Sequence, residues 1–178
     1  MRTRLTTDRL ELLPFKTEHA PQVANLLQRN MDRLFDAFQI SVKAITGEAG
    51  ATGWIATGKA AWRNNHKYFR GLFLKDTGQY IGMIVLKRNY PGAPMAELAY
   101  YIDEAWEGKG LMTEALDATV KWSDSELGIA VLYERIASEN TGSRSVVEKL
   151  GFEYTRTVPE GLVFPSGNYD MACYQRVI

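Results

Sequence analysis

Trp106-Glu107-Gly108-Lys109-Gly110-Leu111-Met112-Thr113-Glu114-Ala115 is where the hydrophobic period of this chain changes. Before it, Glu97-Leu98-Ala99-Tyr100-Tyr101-Ile102 reads as a strand. After it, Leu111, Ala115, Leu116, Ala118, Thr119 and Trp122 recur at helical spacing. Two glycines flanking a lysine at a strand-to-helix turn leave several backbone N–H groups bare at the helix mouth, with no side chain to block a large anion. The aligned peptide dipoles add partial positive charge at the same end, so the turn suits a phosphate or pyrophosphate.

Two familiar phosphate loops do not fit. A Walker-type loop needs Gly-x-x-x-x-Gly-Lys followed by Ser or Thr, but Gly110 follows Lys109 and Asp103 stands where the first glycine belongs. A dinucleotide fingerprint needs glycine at Thr113 and an early βαβ unit. A glycine-rich connector with no ligand is the remaining plain alternative.

Further along come Ser138-Glu139-Asn140-Thr141-Gly142-Ser143 and Val146-Val147-Glu148-Lys149-Leu150-Gly151-Phe152. With Gly-Lys-Gly-Leu-Met-Thr-Glu-Ala-Leu, this order resembles the GNAT superfamily of acyl-CoA-dependent N-acetyltransferases. Within it the chain is most similar to the RimJ/RimL-type branch of ribosomal-protein N-terminal acetyltransferases. Leu5-Thr6-Thr7-Asp8-Arg9-Leu10-Glu11-Leu12 matches the usual opening of that branch, and Asp170 after a Gly-Asn-Tyr turn matches its end. The resemblance implies an α/β fold: a mixed, mostly antiparallel sheet with splayed central strands, flanked by helices.

Composition agrees with one domain over residues 1–178, with 21 basic and 21 acidic residues in balance. Zero net charge gives no sign of a direct nucleic-acid binder. No apolar run reaches membrane-spanning length and no signal-peptide core is present, so a cytoplasmic protein without membrane contact is the expectation. Cys173 is the single cysteine, and His19 and His66 lie far apart, so no metal site is expected.

Outward from the turn, residues 9–14 read as a first strand and Thr17 as a cap of a helix running past Leu34. Residues 47–53 read as a glycine- and alanine-containing loop before a helix over 54–65. Strands follow at 68–74 and 80–87, joined by Asp76-Thr77-Gly78-Gln79, and a turn-rich loop at 89–94 leads to the strand at 95–102. The helix after the phosphate turn ends at Gly128. Then come a strand at 133–137, a helix at 141–150, and strands at 153–157 and 169–176.

In the GNAT fold the fourth and fifth strands splay and the pantetheine of acyl-CoA enters the gap. By that resemblance the backbone of Tyr101 and Ile102 bonds the pantetheine, and the amides of Gly108, Lys109, Gly110, Leu111, Met112 and Thr113 hold the pyrophosphate. The Lys109 side chain either adds charge there or is a solvated loop lysine. Glu107 and Met112 depart from the superfamily's usual Gln or Arg and Gly or Ala. Acetyl transfer needs a neutral amine and protonation of the leaving thiolate. Glu97, beside the splay, is the general-base candidate, with a structural partner for a nearby Arg as its alternative. Val147 takes the place of the tyrosine that many members use as acid. Ser143, kept as in the RimJ/RimL branch, is therefore the candidate acid or sulfur-orienting hydroxyl. Asn140 is a candidate for bonding the cofactor, or else a turn-forming asparagine.

An α-amine has a pKa near 7.8 and a lysine near 10.4, so neutralising them at pH 7 costs roughly 1 and 4.6 kcal/mol. The expected acceptor is thus a primary amine, foremost the α-amine of a protein N-terminus, with acetyl-CoA as co-substrate. A small-amine acetyltransferase and a non-catalytic CoA-binding sensor are the alternatives. A homodimer is what relatives in the branch suggest. The acceptor groove is expected around residues 34–45, the second helix and the 160–170 connection.

Overall fold

The structure, a computed structural model, describes residues 3–90 and 92–178. The chain runs β1 (Leu5–Thr6), β2 (Leu10–Pro14), α1 (Ala20–Arg29), α2 (Met31–Ala44), α3 (Glu48–Arg63), β3 (Lys67–Leu74), β4 (Tyr80–Lys87) and β5 (Met95–Ile102). It continues through α4 (Leu111–Leu127), β6 (Val131–Ala137), α5 (Thr141–Lys149), β7 (Glu153–Phe164) and β8 (Gly167–Val177). The strands form one sheet in the order β1-β2-β3-β4-β5-β6-β8-β7. Every neighbouring pair is antiparallel except β5 with β6.

Both faces of the sheet centre are covered, which is why β4 is an almost unbroken apolar run, buried from Tyr80 to Leu86. On one face Leu98, Ile84 and Leu132 pack with Leu111, Ala115, Leu116 and Val120 of α4. On the other, Met83, Val85 and Tyr101 pack with Val23, Leu26, Leu27 and Ile55 of the first and third helices. Period-two alternation along β5 thus sends Leu98 and Tyr101 to opposite sides.

Three expectations needed correction. The helix expected to run past Leu34 breaks at Asn30, and the expected loop 47–53 is mostly the first turns of α3, which begins at Glu48. There Gly50 lies so near α2 that a Cβ would stand 2.5 Å from the Ala44 carbonyl, so the glycine serves packing rather than a loop. The closing strands are much longer than 153–157 and 169–176, forming one hairpin with its tip between Phe164 and Gly167. A short β1 precedes the expected first strand. Pro91, in the expected turn-rich loop, lies outside the described residues.

The break at Asn30 has a tertiary cause. Its buried amide donates to Leu26 O (2.9 Å) and Asp103 Oδ1 (3.1 Å), while Oδ1 accepts from the Glu104 N–H (3.1 Å) and from Arg33 Nη2 (3.1 Å). Arg29 Nε adds a 2.9 Å bond to Asp103 Oδ2. This knot fastens the α1–α2 corner to the end of β5.

A second fastening explains the opening motif. Thr7 Oγ1 donates to Glu114 Oε1 (2.5 Å), Arg9 N donates to the same oxygen (2.9 Å), and Arg9 Nε meets Oε2 (2.7 Å). Arg9 Nη1 reaches on to the Lys109 carbonyl at 2.9 Å. Burial by itself would raise the Glu114 carboxyl, but these bonds from Thr7 and Arg9 outweigh it and hold the group below its ordinary value of 4.5. A depressed folded-state pKa stabilises the fold above the unfolded value and loses that contribution as pH falls through the folded one. Glu114→Gln should therefore cost about 1 kcal/mol near pH 7, read by urea denaturation, with the gap to the parent closing as pH falls through the lowered pKa of that carboxyl.

Candidate active site

The site begins where the sheet stops being continuous. β5 and β6 pair at Met95 with Val131, Ala96 with Leu132 and Glu97 with Tyr133, and at no later position. Beyond that fork β5 follows β4 as far as Ile102, while β6 follows β8 as far as Ala137. The N-termini of α4 and α5 lie beside the opening.

On the α4 side the fork runs into a cleft of about 630 Å³ lined by Ile102, Glu107, Gly108, Gly110, Met112 and Thr113, among others. Gly108 (φ 70°) and Gly110 (φ 73°) hold left-handed backbone, which turns the chain sharply from the 3-10 turn Glu104–Trp106 into α4. The first amides of α4 have no acceptor of their own within the helix. The Lys109 side chain turns back: Nζ donates to the Ala105 carbonyl at 2.9 Å and lies 4.2 Å from the Trp106 ring centre. Lys109 is not among the residues that line the cleft.

On the hairpin side a second pocket of about 450 Å³ is lined by Asp36, Phe38, Glu97, Glu134, Arg135, Phe164 and Tyr169, with others. Its wall is closed where Ser166 Oγ donates to the Asp36 carboxylate and bonds Tyr169 Oη at 2.9 Å. Arg33, Ala37, Phe38, Tyr100, Glu139, Asn140 and Ser143 line both cavities, so the two meet at the fork.

That meeting point fits what the family comparisons find. The model for the acetyltransferase (GNAT) domain matches residues 9–153. The chain belongs to the GNAT acetyltransferase family. It is 26% identical over 153 residues to the [ribosomal protein uS5]-alanine N-acetyltransferase of Escherichia coli (strain K12), across 85% of this chain and 79% of that one. It is 34% identical over 89 residues to the Probable N-acetyltransferase YjcK of Bacillus subtilis (strain 168), and so spans about half the length of that relative (49%). In fold it resembles the ribosomal L7/L12 α-N-protein acetyltransferase RimL, solved in complex with coenzyme A. The TM-score is 0.88 at 17% identity, over 98% of this chain and 97% of that one.

In this GNAT protein most of the residues singled out from sequence do converge. Tyr101, Ile102, Gly108, Gly110, Leu111, Met112, Thr113, Asn140 and Ser143 all line the cleft. Asn140 is also the N-cap of α5: its Oδ1 accepts from the Ser143 N–H at 3.0 Å, and its amide NH2 is available to a ligand. Ser143 gives its carbonyl to the Tyr100 hydroxyl at 3.1 Å. Glu97 is heavily engaged. Oε1 accepts from Arg135 Nε (3.0 Å) and Nη2 (2.8 Å), and Oε2 accepts from Asn89 Nδ2 (2.6 Å). Lys87 Nζ stands 3.8 Å away.

The sequence reading missed Glu134, the first β6 residue past the fork. It is 7% exposed, and its Oε2 finds no hydrogen-bond partner among the described residues. Burial first, and then the charge of Glu97, push its carboxyl well above the ordinary 4.5, against the opposing pull of Lys87 and Arg135. The signal was present: Leu132, Glu134 and Ile136 alternate onto one face, and an acid between two buried aliphatics calls for a reason. Arg33 was missed because nothing local in α2 tells which cavity it lines. Among the described residues no group of His, Cys, Asp or Glu is arranged to hold a metal, and no helix is long and apolar enough to cross a membrane.

Asn140→Ala should lower stability by about 1 kcal/mol in thermal unfolding, and Asn140→Asp should restore it by keeping the cap. If Asn140→Ala left stability unchanged, the cap would be energetically idle.

Proposed function

We propose that this GNAT protein moves an acetyl group from acetyl-CoA to a primary amine, and that the acceptor is the α-amine of a protein N-terminus. The observation that carries the reading is the meeting of two differently built cavities at the fork, beside Phe38, Tyr100 and Ser143. Acetyl-CoA would supply the acetyl group as a thioester. The amides of residues 108–113 suit its diphosphate, and the long, open cleft suits its arm. The names of the uS5-alanine relative and of RimL support a protein acceptor.

Glu134 is the residue to which we assign proton acceptance from the amine, directly or through a water. It is buried and has an oxygen with no hydrogen-bond partner among the described residues, whereas both oxygens of Glu97 already accept hydrogen bonds, from Arg135 and Asn89. Glu97 then serves to orient Arg135 and Lys87 along the acceptor pocket. Ser143 Oγ donates a hydrogen bond to the cofactor sulfur as charge develops there. A base must be deprotonated to act, so turnover should fall as pH drops through the raised pKa of Glu134, above the usual carboxylate range.

A thiol-release assay tests this with three acceptors: a peptide with a free N-terminus, the same peptide Nα-blocked but carrying lysine, and a polyamine. The free N-terminus should be preferred. Glu134→Gln should lower kcat by roughly 100-fold, and Ser143→Ala by a smaller factor, with CoA affinity little changed. Glu97→Gln should chiefly cost stability, since it leaves Arg135 and Lys87 unbalanced. A loss of turnover confined to Glu97→Gln would return the base role to that residue. CoA binding with no thiol release from any acceptor would make the protein a sensor.

A further inference from the structure

We infer that Arg33, on the first turn of α2, is the side-chain cation that meets the cofactor diphosphate, and that Glu107 partly neutralises it at the cleft mouth. The inference rests on the acetyl-CoA reading above and goes beyond it by adding a binding residue from an element outside the glycine turn. Arg33 Nη1 bonds Glu107 Oε1 at 2.6 Å, Nη2 bonds Asn30 Oδ1 at 3.1 Å, and Nη2 also donates to the Ile102 carbonyl. The guanidinium thus bridges the end of β5 and the residue just before Gly108, and it lines the same cleft as Gly108, Gly110 and Thr113.

Three features of this arrangement point to an anion. Lys109, the cation the turn itself carries, is committed to Ala105 and Trp106, so the turn's own side chain does not supply the charge. Glu107 alone would repel a diphosphate at Gly108; Arg33 offsets part of that repulsion, and the pair leaves guanidinium N–H groups that can donate to phosphate oxygens. Finally, Asn30 holds Arg33 from a buried position and is itself fixed by Asp103 and Glu104, so the guanidinium is placed before any ligand arrives.

The experiment is calorimetric binding, without turnover, of CoA, 3′-dephospho-CoA and pantetheine to the parent, Arg33→Ala and Glu107→Gln. Arg33→Ala should weaken CoA and dephospho-CoA equally, by about tenfold to a hundredfold, and leave pantetheine unaffected. Glu107→Gln, a change at a half-exposed side chain, should tighten CoA severalfold at low salt and lose that gain at high salt. Equal losses for pantetheine would mean that Arg33 only supports the fold and would overturn the inference. A loss for CoA but not for dephospho-CoA would move Arg33 to the 3′-phosphate and overturn it as well. No change in any Arg33→Ala titration would do the same. Should Arg33→Ala fail to fold, an unchanged or weakened CoA affinity in Glu107→Gln overturns it. If the parent itself gives no heat with CoA, the cofactor reading falls first.

Discussion

The parting of β5 from β6 after three paired residues is the constraint on which the rest of the molecule depends. A parallel pair that continued would close the sheet and bury the backbone groups that now face a cleft. At Gly82 a Cβ would stand 2.4 Å from the Tyr101 carbonyl oxygen, so bare backbone is what lets β4 keep its pairing with β5 as far as Ile102, beyond the fork. The two fastenings, Asn30 with Asp103 and Arg9 with Glu114, then pin the end of β5 and the start of α4 on either side of the glycine turn.

The two carboxylates at the fork sit in different surroundings. Glu97 lies where strands still pair and is surrounded by donors, so it organises Arg135 and Lys87. Glu134, one step beyond the last paired residue of β6, is buried without such company. The difference follows from the fork: Glu97 sits at the last position where β5 and β6 pair, and Glu134 lies one residue past it, although both line the hairpin-side pocket. A group that is costly to ionise where it sits is the kind that accepts a proton readily, and that is the property the proposed role of Glu134 uses.

Much of this was legible in the sequence because it is local. The change of period at Trp106 to Ala115, the helix ended by Gly128, and the alternation along β5 each depend on residues within a turn or two of one another. What escaped was non-local. Asn30 breaks a helix whose apolar spacing continues through it, since its partners Asp103 and Glu104 come from just past the end of β5, 73 and 74 residues further along the chain. The glycines near residue 50 looked like a loop because close helix packing and loop flexibility favour the same residue. The closing hairpin was underestimated because β7 is an exposed edge strand with weak alternation, interrupted by Pro159 and a register shift between Val158 and Leu162. The same reasons separate the site residues: Gly108 to Thr113 announce themselves in order, whereas Arg33 gains its meaning only once Glu107 is folded against it.

The central claim is that bare main-chain donors at the start of α4 hold the diphosphate of a thioester carrier. Titration of the isotopically labelled protein with CoA, followed by amide NMR, tests it most directly. The account requires the largest shifts at the amides of Gly108, Lys109, Gly110, Leu111, Met112 and Thr113. Amides that stay still there, with any movement gathered instead around the apolar groove lined by Trp54 and Trp62, would contradict it.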